Sequence, residues 1–331
     1  MTAEGSRSRP LASVSLDADN LWSYLRTRGA IGWEARPSFF DRFLPLVLDL
    51  LDELGLRITF FVVGADAARE ENGRALAAVA ARGHEIGNHS HEHEPWLQRY
   101  SADRIAEEVE RAETAIQAVT GQRPLGFRGP GYSWSPALLR VLHARGYRYD
   151  ASVLPTFIGP LARAYYFRTA RLTAPERRMR AQLFGRFSDA LRPDRPYRWA
   201  LGNGDTLLEM PVTTIPVLRL PMHLSYLLYL SAYSERLMMT YLRAALAACR
   251  TTRTPLSFLL HPLDLLSGED VPELAFFPGM QLPAARKRDL FRRVLALLGG
   301  RFDLVGVGAH ARALEASEPL PLLDATLAEQ T

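Results

Sequence analysis

The sequence predicts an α/β fold built on a parallel sheet or barrel, and three observations carry that expectation. Short apolar runs of strand length alternate with longer amphipathic segments almost from end to end, the pattern of successive strand and helix units. Glycines stand directly after helical segments, where the chain must leave the helix in a left-handed conformation. Clusters of polar, chemically capable side chains fall just past several apolar runs, and in parallel α/β folds those strand ends converge on one mouth.

Taken in order, the expected strands are 12–16, 57–63, 84–88, 125–128, 147–151, 207–211, 257–260 and 304–307. Each is brief, apolar and bounded by polar or turn residues. The amphipathic segments between them predict helices at 38–54, 71–82, 101–119, 136–145, 235–249 and 283–298. Gly55, Gly83, Gly121 and Gly146 close four of these. Ser101 opens the 101–119 helix as its N-cap, with Arg104 and the acids from Glu107 to Glu110 in the early turns.

The chain has 331 residues, 47% hydrophobic and 23% charged, which excludes collagen, coiled coil and full-length disorder. One stretch breaks the alternation. Residues 155–204 are too many for an ordinary loop and carry ten Arg against three acids, with Tyr165, Tyr166, Phe167, Phe184, Phe187, Tyr197 and Trp199 interleaved. This stretch reads as an Arg-rich insertion with short helices of its own. Its net +7 exceeds the +4 of the whole chain, so the basic character is local and the remainder is slightly acidic. The expected organisation is a polar arm at 1–11, a main domain at 12–311 containing the insertion, and a terminal helix and tail at 312–331. The sole cysteine, Cys249, sits in a helical context and reads as a buried, inert thiol. The first residues lack an apolar signal core, and the longest apolar stretch, near 224–232, is too short to span a bilayer. A cytoplasmic location is expected.

Four constellations carry chemistry. The first is Ser15-Leu16-Asp17-Ala18-Asp19-Asn20. At strand period 2, Asp17 and Asp19 point to the same side, able to share a cation or to divide into a ligand and a base; a solvated turn is the plain alternative. The second is Gly83-His84-Glu85-Ile86-Gly87-Asn88-His89-Ser90-His91-Glu92-His93, holding four of the eight histidines. His89 and His93 are four apart, one helical turn, so two imidazoles can grip one metal from the same face. The third, Phe127-Arg128-Gly129-Pro130-Gly131-Tyr132, is a strand followed by a Gly/Pro turn able to present backbone N–H groups to an oxyanion. The fourth is Leu259-Leu260-His261-Pro262-Leu263-Asp264, a histidine ending an apolar strand.

This order resembles that of the polysaccharide deacetylase family, the NodB homology domain of carbohydrate esterase family four, over roughly residues 12–310. The resemblance implies a distorted (β/α)7-type barrel with its site at the C-terminal strand ends. It implies a divalent metal held by Asp19, His89 and His93, with Zn2+ first and Co2+, Mn2+ or Ni2+ as alternatives. Asp17 would be the general base, Arg128 its partner, the Gly131 N–H an oxyanion donor and His261 the acid that protonates the leaving amine. The family's usual first motif has adjacent acids, whereas Ala18 separates them here. That Asp-x-Asp form resembles the branch containing a deformylase of lipid-linked formamido-arabinose, and it leaves open which Asp is base and which is ligand. The family's fourth motif is matched loosely by Tyr149-Asp150-Ala151-Ser152, with Asp150 a candidate partner of Arg128 or His261. His84 and His91 have weaker claims as ligands. Trp22, Tyr132 and Glu209 are candidate substrate contacts.

The expected activity is metal-dependent removal of an acetyl or formyl group from an amino sugar, lipid-linked or nucleotide-linked, releasing an amine and a carboxylate. Hydrolysis of a non-sugar amide or cyclic imide is the alternative. A non-catalytic module binding anionic lipid or nucleic acid is a third reading, and no nucleic-acid partner is expected under the first. Arg and aromatic residues of the insertion could hold phosphate or touch the inner membrane face, and the apolar stretch 217–232 could cover a lipid tail or be a core helix.

Overall fold

The computed structural model describes residues 9–159, 178, 187–317 and 319–330. Most of the Arg-rich stretch between 155 and 204 therefore lies outside the described residues. In chain order the elements begin with β1 (Leu11–Ala18), α1 (Leu21–Arg28), α2 (Phe40–Glu53), β2 (Thr59–Val62), α3 (Gly64–Ala67), α4 (Glu70–Ala81) and β3 (Glu85–Asn88). Then come α5 (Ala102–Thr120), β4 (Gly126–Phe127), α6 (Pro136–Ala144), β5 (Tyr149–Asp150), β6 (Tyr197–Gly202) and β7 (Asp205–Glu209). The C-terminal part holds α7 (Leu224–Tyr233), α8 (Glu235–Thr252), β8 (Leu256–Leu260), α9 (Ala284–Gly299), β9 (Asp303–Val305), α10 (Val307–Glu315), β10 (Leu322–Asp324) and α11 (Ala325–Gln330).

The sheet order is β10-β6-β7-β5-β4-β3-β2-β1-β8, with β9 also on β1. From β8 through β1, β2, β3, β4 and β5 to β7, every neighbouring pair is parallel. The chain just beyond β7 then reaches β8: the Thr213 N–H donates to the Ser257 carbonyl at 3.0 Å, and the Ser257 N–H donates to Thr213 Oγ1 at 2.7 Å. These seven strands thus curl towards closure, as the distorted-barrel expectation requires.

The alternation within β1 explains how the sheet serves two cores. Ala12, Val14, Leu16 and Ala18 join the apolar cluster with Phe40, Phe43, Leu44 and Val47 of α2. The intervening Ser13, Ser15 and Asp17 are buried on the opposite side, towards the barrel interior. Small interior residues make room for large ones. A Cβ on Gly126 would stand 2.0 Å from the Tyr149 ring, so any side chain there would displace Tyr149.

Two boundaries differ from the sequence expectation. Residues 197–202, assigned to the insertion, form β6, antiparallel to β7. The link is a tight turn at Asn203 (φ 54°) and Gly204 (φ 85°), and an Asn-Gly pair between apolar runs is a strong hairpin signal. Residues 322–324, assigned to the tail, form β10, parallel to β6. The expected helices are present within a few residues of their predicted ends, and 217–232 holds all but the last residue of α7, whose Leu224, Leu227 and Leu228 lie in the core. Gly55, Gly83, Gly121 and Gly146 all have positive φ. Cys249 is buried, and burial pushes its thiol up to about 12. Among the described residues no helix is long and apolar enough to cross a membrane.

Candidate metal centre

Asp19 follows β1 directly, while His89 and His93 follow β3. The three offer one ligand atom each, all within 4.8 Å of one another. The segment from His89 to His93 is a loop rather than the helical turn expected from its spacing. Ser90 (φ 62°) and His93 (φ 49°) are left-handed, conformations that cost energy and persist where surroundings fix them. The fixing contacts are visible. Asn88 Oδ1 accepts from the Ser90 N–H at 2.8 Å, and Ser90 Oγ accepts from the His93 N–H at 3.1 Å. Glu108 Oε2, from α5, accepts from the N–H groups of His91 and Glu92 at 3.2 and 2.9 Å. Arg36 and Arg26 hold Glu92 and Glu94 by ion pairs at 2.7 and 2.5 Å. Helical period was thus the wrong geometry, although the pair it singled out does converge on Asp19.

The donor set fits a divalent cation. His89 Nδ1 lies 2.6 Å from the Arg128 carbonyl, so Nδ1 carries the proton and Nε2 is left with a lone pair. Asp19 Oδ1 is 2.8 Å from His93 Nε2 and 3.4 Å from His89 Nε2. It is nevertheless a buried oxygen without a hydrogen-bond donor. Three close ligand atoms that fail to satisfy one another leave a role for an ion between them. Burial opposes ionisation of Asp19, but His93 and His89 outweigh it and hold its carboxyl well below the usual carboxylate range. Two imidazoles and a carboxylate suit zinc and other first-row divalent metals. His84 and His91 stand apart from the triad. His84 Nδ1 accepts from the Ile58 N–H at 3.2 Å, and His91 is held away beside Glu92.

Asp17 sits beside this centre, between two partners. Arg128 Nη1 donates to Asp17 Oδ1 at 2.7 Å and to Ser15 Oγ at 2.8 Å, while its Nε donates to the Ala151 carbonyl at 2.9 Å. The guanidinium also lies over the Phe61 ring, 4.3 Å from its centroid. His261 Nε2 is 3.9 Å from Asp17 Oδ2. The Asp pair is therefore divided as the first motif allowed: one carboxylate with the histidines, the other with Arg128 and His261. Gly131 (φ 60°) and Tyr132 (φ 62°) form the turn after Arg128. Tyr132 is half-buried and stays neutral, its pKa raised by burial and then by Asp17.

Three predicted site residues are placed differently from that expectation. Asp150 makes no ion pair with Arg128 or His261. Its Oδ1 accepts from Ser152 Oγ at 2.5 Å, and its neighbour is Glu209. Glu209 is fully enclosed, accepting from Trp199 Nε1 at 2.9 Å and the Val153 N–H at 3.1 Å, so it cannot line the mouth. Burial pushes both carboxyls up, and the negative charge of Asp150 adds to the rise at Glu209. Trp22 is also enclosed rather than open to substrate; its ring packs edge-on to His93 and its Nε1 donates to Asp66 Oδ1 at 2.9 Å.

Asp66 is a residue the sequence did not flag. It lies in α3, fully buried, and also accepts from Asn20 Nδ2 at 2.7 Å, while its Oδ2 has no partner. Burial raises its carboxyl to about 7 despite the Asn20 and Trp22 donors. Below the ordinary Asp range both folded and unfolded chains hold this proton; from about pH 4 to 7 the folded chain alone does. Stability from this group therefore falls as pH rises through that window. Asp66→Asn, which mimics the protonated acid, should match the parent near pH 4 and exceed its denaturation midpoint above pH 7. Parallel curves for the two proteins from pH 4 to 8 would contradict this.

Residues 30–149 match the family model for polysaccharide deacetylase. That span includes both histidines and Arg128 but neither Asp17, Asp19 nor His261. Among curated relatives, the peptidoglycan-N-acetylglucosamine deacetylase of Bacillus cereus is 31% identical over 88 residues, 27% of this chain and 31% of the relative. The chitin deacetylase of Colletotrichum lindemuthianum is 32% identical over 108 residues, covering 32% and 43%. The peptidoglycan deacetylase of Helicobacter pylori is 26% identical over 165 residues, covering 48% and 53%. The chain thus spans a third to about half of these relatives' own length. In fold it is similar to a Mycobacterium smegmatis protein classed with the polysaccharide deacetylases (TM-score 0.62, 20% identity, 97% of this chain and 95% of that one). It is similar also to the Puue allantoinase (TM-score 0.57, 16% identity, 95% and 93%).

Proposed function

We propose that the chain is a metal-dependent hydrolase that removes the N-acyl group of an amino sugar, the activity named for its peptidoglycan and chitin deacetylase relatives. The observation that carries this is the placement of Asp17 and His261, 3.9 Å apart, beside the Asp19, His89 and His93 cluster. Amide hydrolysis needs an activated water, stabilisation of the oxyanion and an acid for a poor leaving group. A divalent cation held by Asp19, His89 and His93 would supply Lewis-acid polarisation and a more acidic water.

The chain's own groups then divide the proton work. Arg128 occupies Asp17 Oδ1, which leaves Oδ2, on the His261 side, to accept a proton from water. His261 Nε2 gives a proton to the nitrogen as the C–N bond breaks, so the products are a free amine and a carboxylate. The Gly131 N–H, on the turn after β4, is the proposed oxyanion donor. Tyr132, neutral and adjacent, is the proposed substrate contact.

The finer reading places the substrate in the cytoplasm or at the inner membrane face, as a lipid-linked or nucleotide-linked sugar bearing an acetyl or formyl group. The test is amine release from a panel pairing acetyl with formyl sugars, free with lipid-linked and nucleotide-linked, beside small amides and cyclic imides, each with and without chelator. Chelator-sensitive release from amino sugars is expected. Turnover confined to imides or simple amides would overturn the sugar reading, and salt-dependent lipid or nucleic-acid binding without any turnover would overturn the enzymatic one.

A further inference from the structure

His261 ends β8, and its imidazole is supported from α7, an element outside all four sequence constellations. Ser225 Oγ lies 3.2 Å from His261 Nδ1. Asp264, one 3-10 turn beyond His261, accepts the His261 backbone N–H through Oδ2 at 2.8 Å. We propose that Ser225 is a positioning residue for His261: its oxygen accepts the Nδ1 proton and its own proton is directed to the Asp264 carboxylate, leaving Nε2 towards Asp17.

Burial pushes the Asp264 carboxyl up, while His261 and the Ser225 hydroxyl favour its ionised form. The turn itself is braced by Lys287 of α9, the only lysine of the chain. Its Nζ donates to the Leu263 and Leu266 carbonyls at 2.8 and 2.6 Å. The other described groups around His261 lack formal charge or lie across the mouth. His223, whose ring centroid is 6.2 Å away, is kept neutral by burial and by His261, its pKa near 3. Tyr24 of α1 is kept neutral by burial and by Asp19, Asp264 and Asp17. Asp17 faces Nε2 from β1. Asp264 is therefore the carboxyl on the Nδ1 side, and Ser225 is its link to the ring. A neutral imidazole otherwise has two tautomers, and only the Nδ1–H form leaves the Nε2 lone pair towards the reacting side, where protonation makes it the acid.

This inference rests on the deacylase reading for its kinetic arm but not for its spectroscopic one. The 15N shifts of His261, assigned by the signal lost in His261→Gln, should report the Nδ1–H tautomer in the parent and in Ser225→Thr, and a mixture in Ser225→Ala. On the best amino-sugar substrate, Ser225→Ala should lower kcat about tenfold with KM nearly unchanged. Ser225→Thr should restore the rate. An unchanged tautomer and kcat in folded Ser225→Ala would overturn the role. A shifted tautomer in a protein that hydrolyses no amino-sugar amide would overturn the function reading and leave the positioning role standing.

Discussion

Asp17→Asn protein should bind metal as the parent does and lose about a hundredfold to ten-thousandfold in kcat, the span of general acid–base catalysis. Asp17 lies outside the ligand cluster, so the substitution removes a proton acceptor rather than a ligand. An amide of the same shape keeps an oxygen for Arg128 Nη1, but it cannot take the water's proton. KM should change little, since the loss falls on the transition state. The reverse assignment, with Asp17 as ligand and Asp19 as base, predicts loss of metal from Asp17→Asn instead. Measuring metal content and kcat on the same preparation therefore decides which carboxylate has which role.

Arg128→Met should cost stability as well as activity. Arg128 is fully buried among Asp17, Ser15, Ala151 and the Phe61 ring. Removing one member of a buried pair leaves the other charge without compensation, a cost of about 3–5 kcal/mol. In a chain of this size that amounts to a fall in Tm of about 4–7 °C. The cause can be isolated by pairing it with Asp17→Asn. If the stranded carboxylate is responsible, the double variant should be more stable than Arg128→Met alone. Equal or additive losses would place the cost in packing around the guanidinium.

Local pattern made much of this fold legible. The period-2 alternation of β1 put Asp17 and Asp19 on one side, and the glycines marked helix ends now seen at positive φ. The apolar run before His261 placed it at a strand end. What stayed hidden depended on partners distant in sequence. Asp150 read as a partner of Arg128 or His261 from a loose motif match and Glu209 as a substrate contact, yet the cross-sheet pairing of β5 with β7 sets them against each other in the interior. Ser225 precedes His261 by 36 residues, and no local pattern announces that contact. The short strand β6 was legible from Asn203-Gly204 but was absorbed into the Arg-rich stretch by composition. His89 and His93 show the converse: their spacing drew attention to the pair for a helical reason, while the chain achieves their convergence through a loop with two left-handed residues.

The central claim is that Asp19, His89 and His93 hold one divalent ion, and calorimetric titration of chelator-stripped protein with zinc tests it most directly. The parent and Asp17→Asn should each take up about one equivalent, and His89→Gln should bind at least about a hundredfold more weakly, a single lost ligand of a three-residue site. A parent that takes up no zinc, cobalt, manganese or nickel, or a His89→Gln protein that binds as tightly as the parent, would contradict the account.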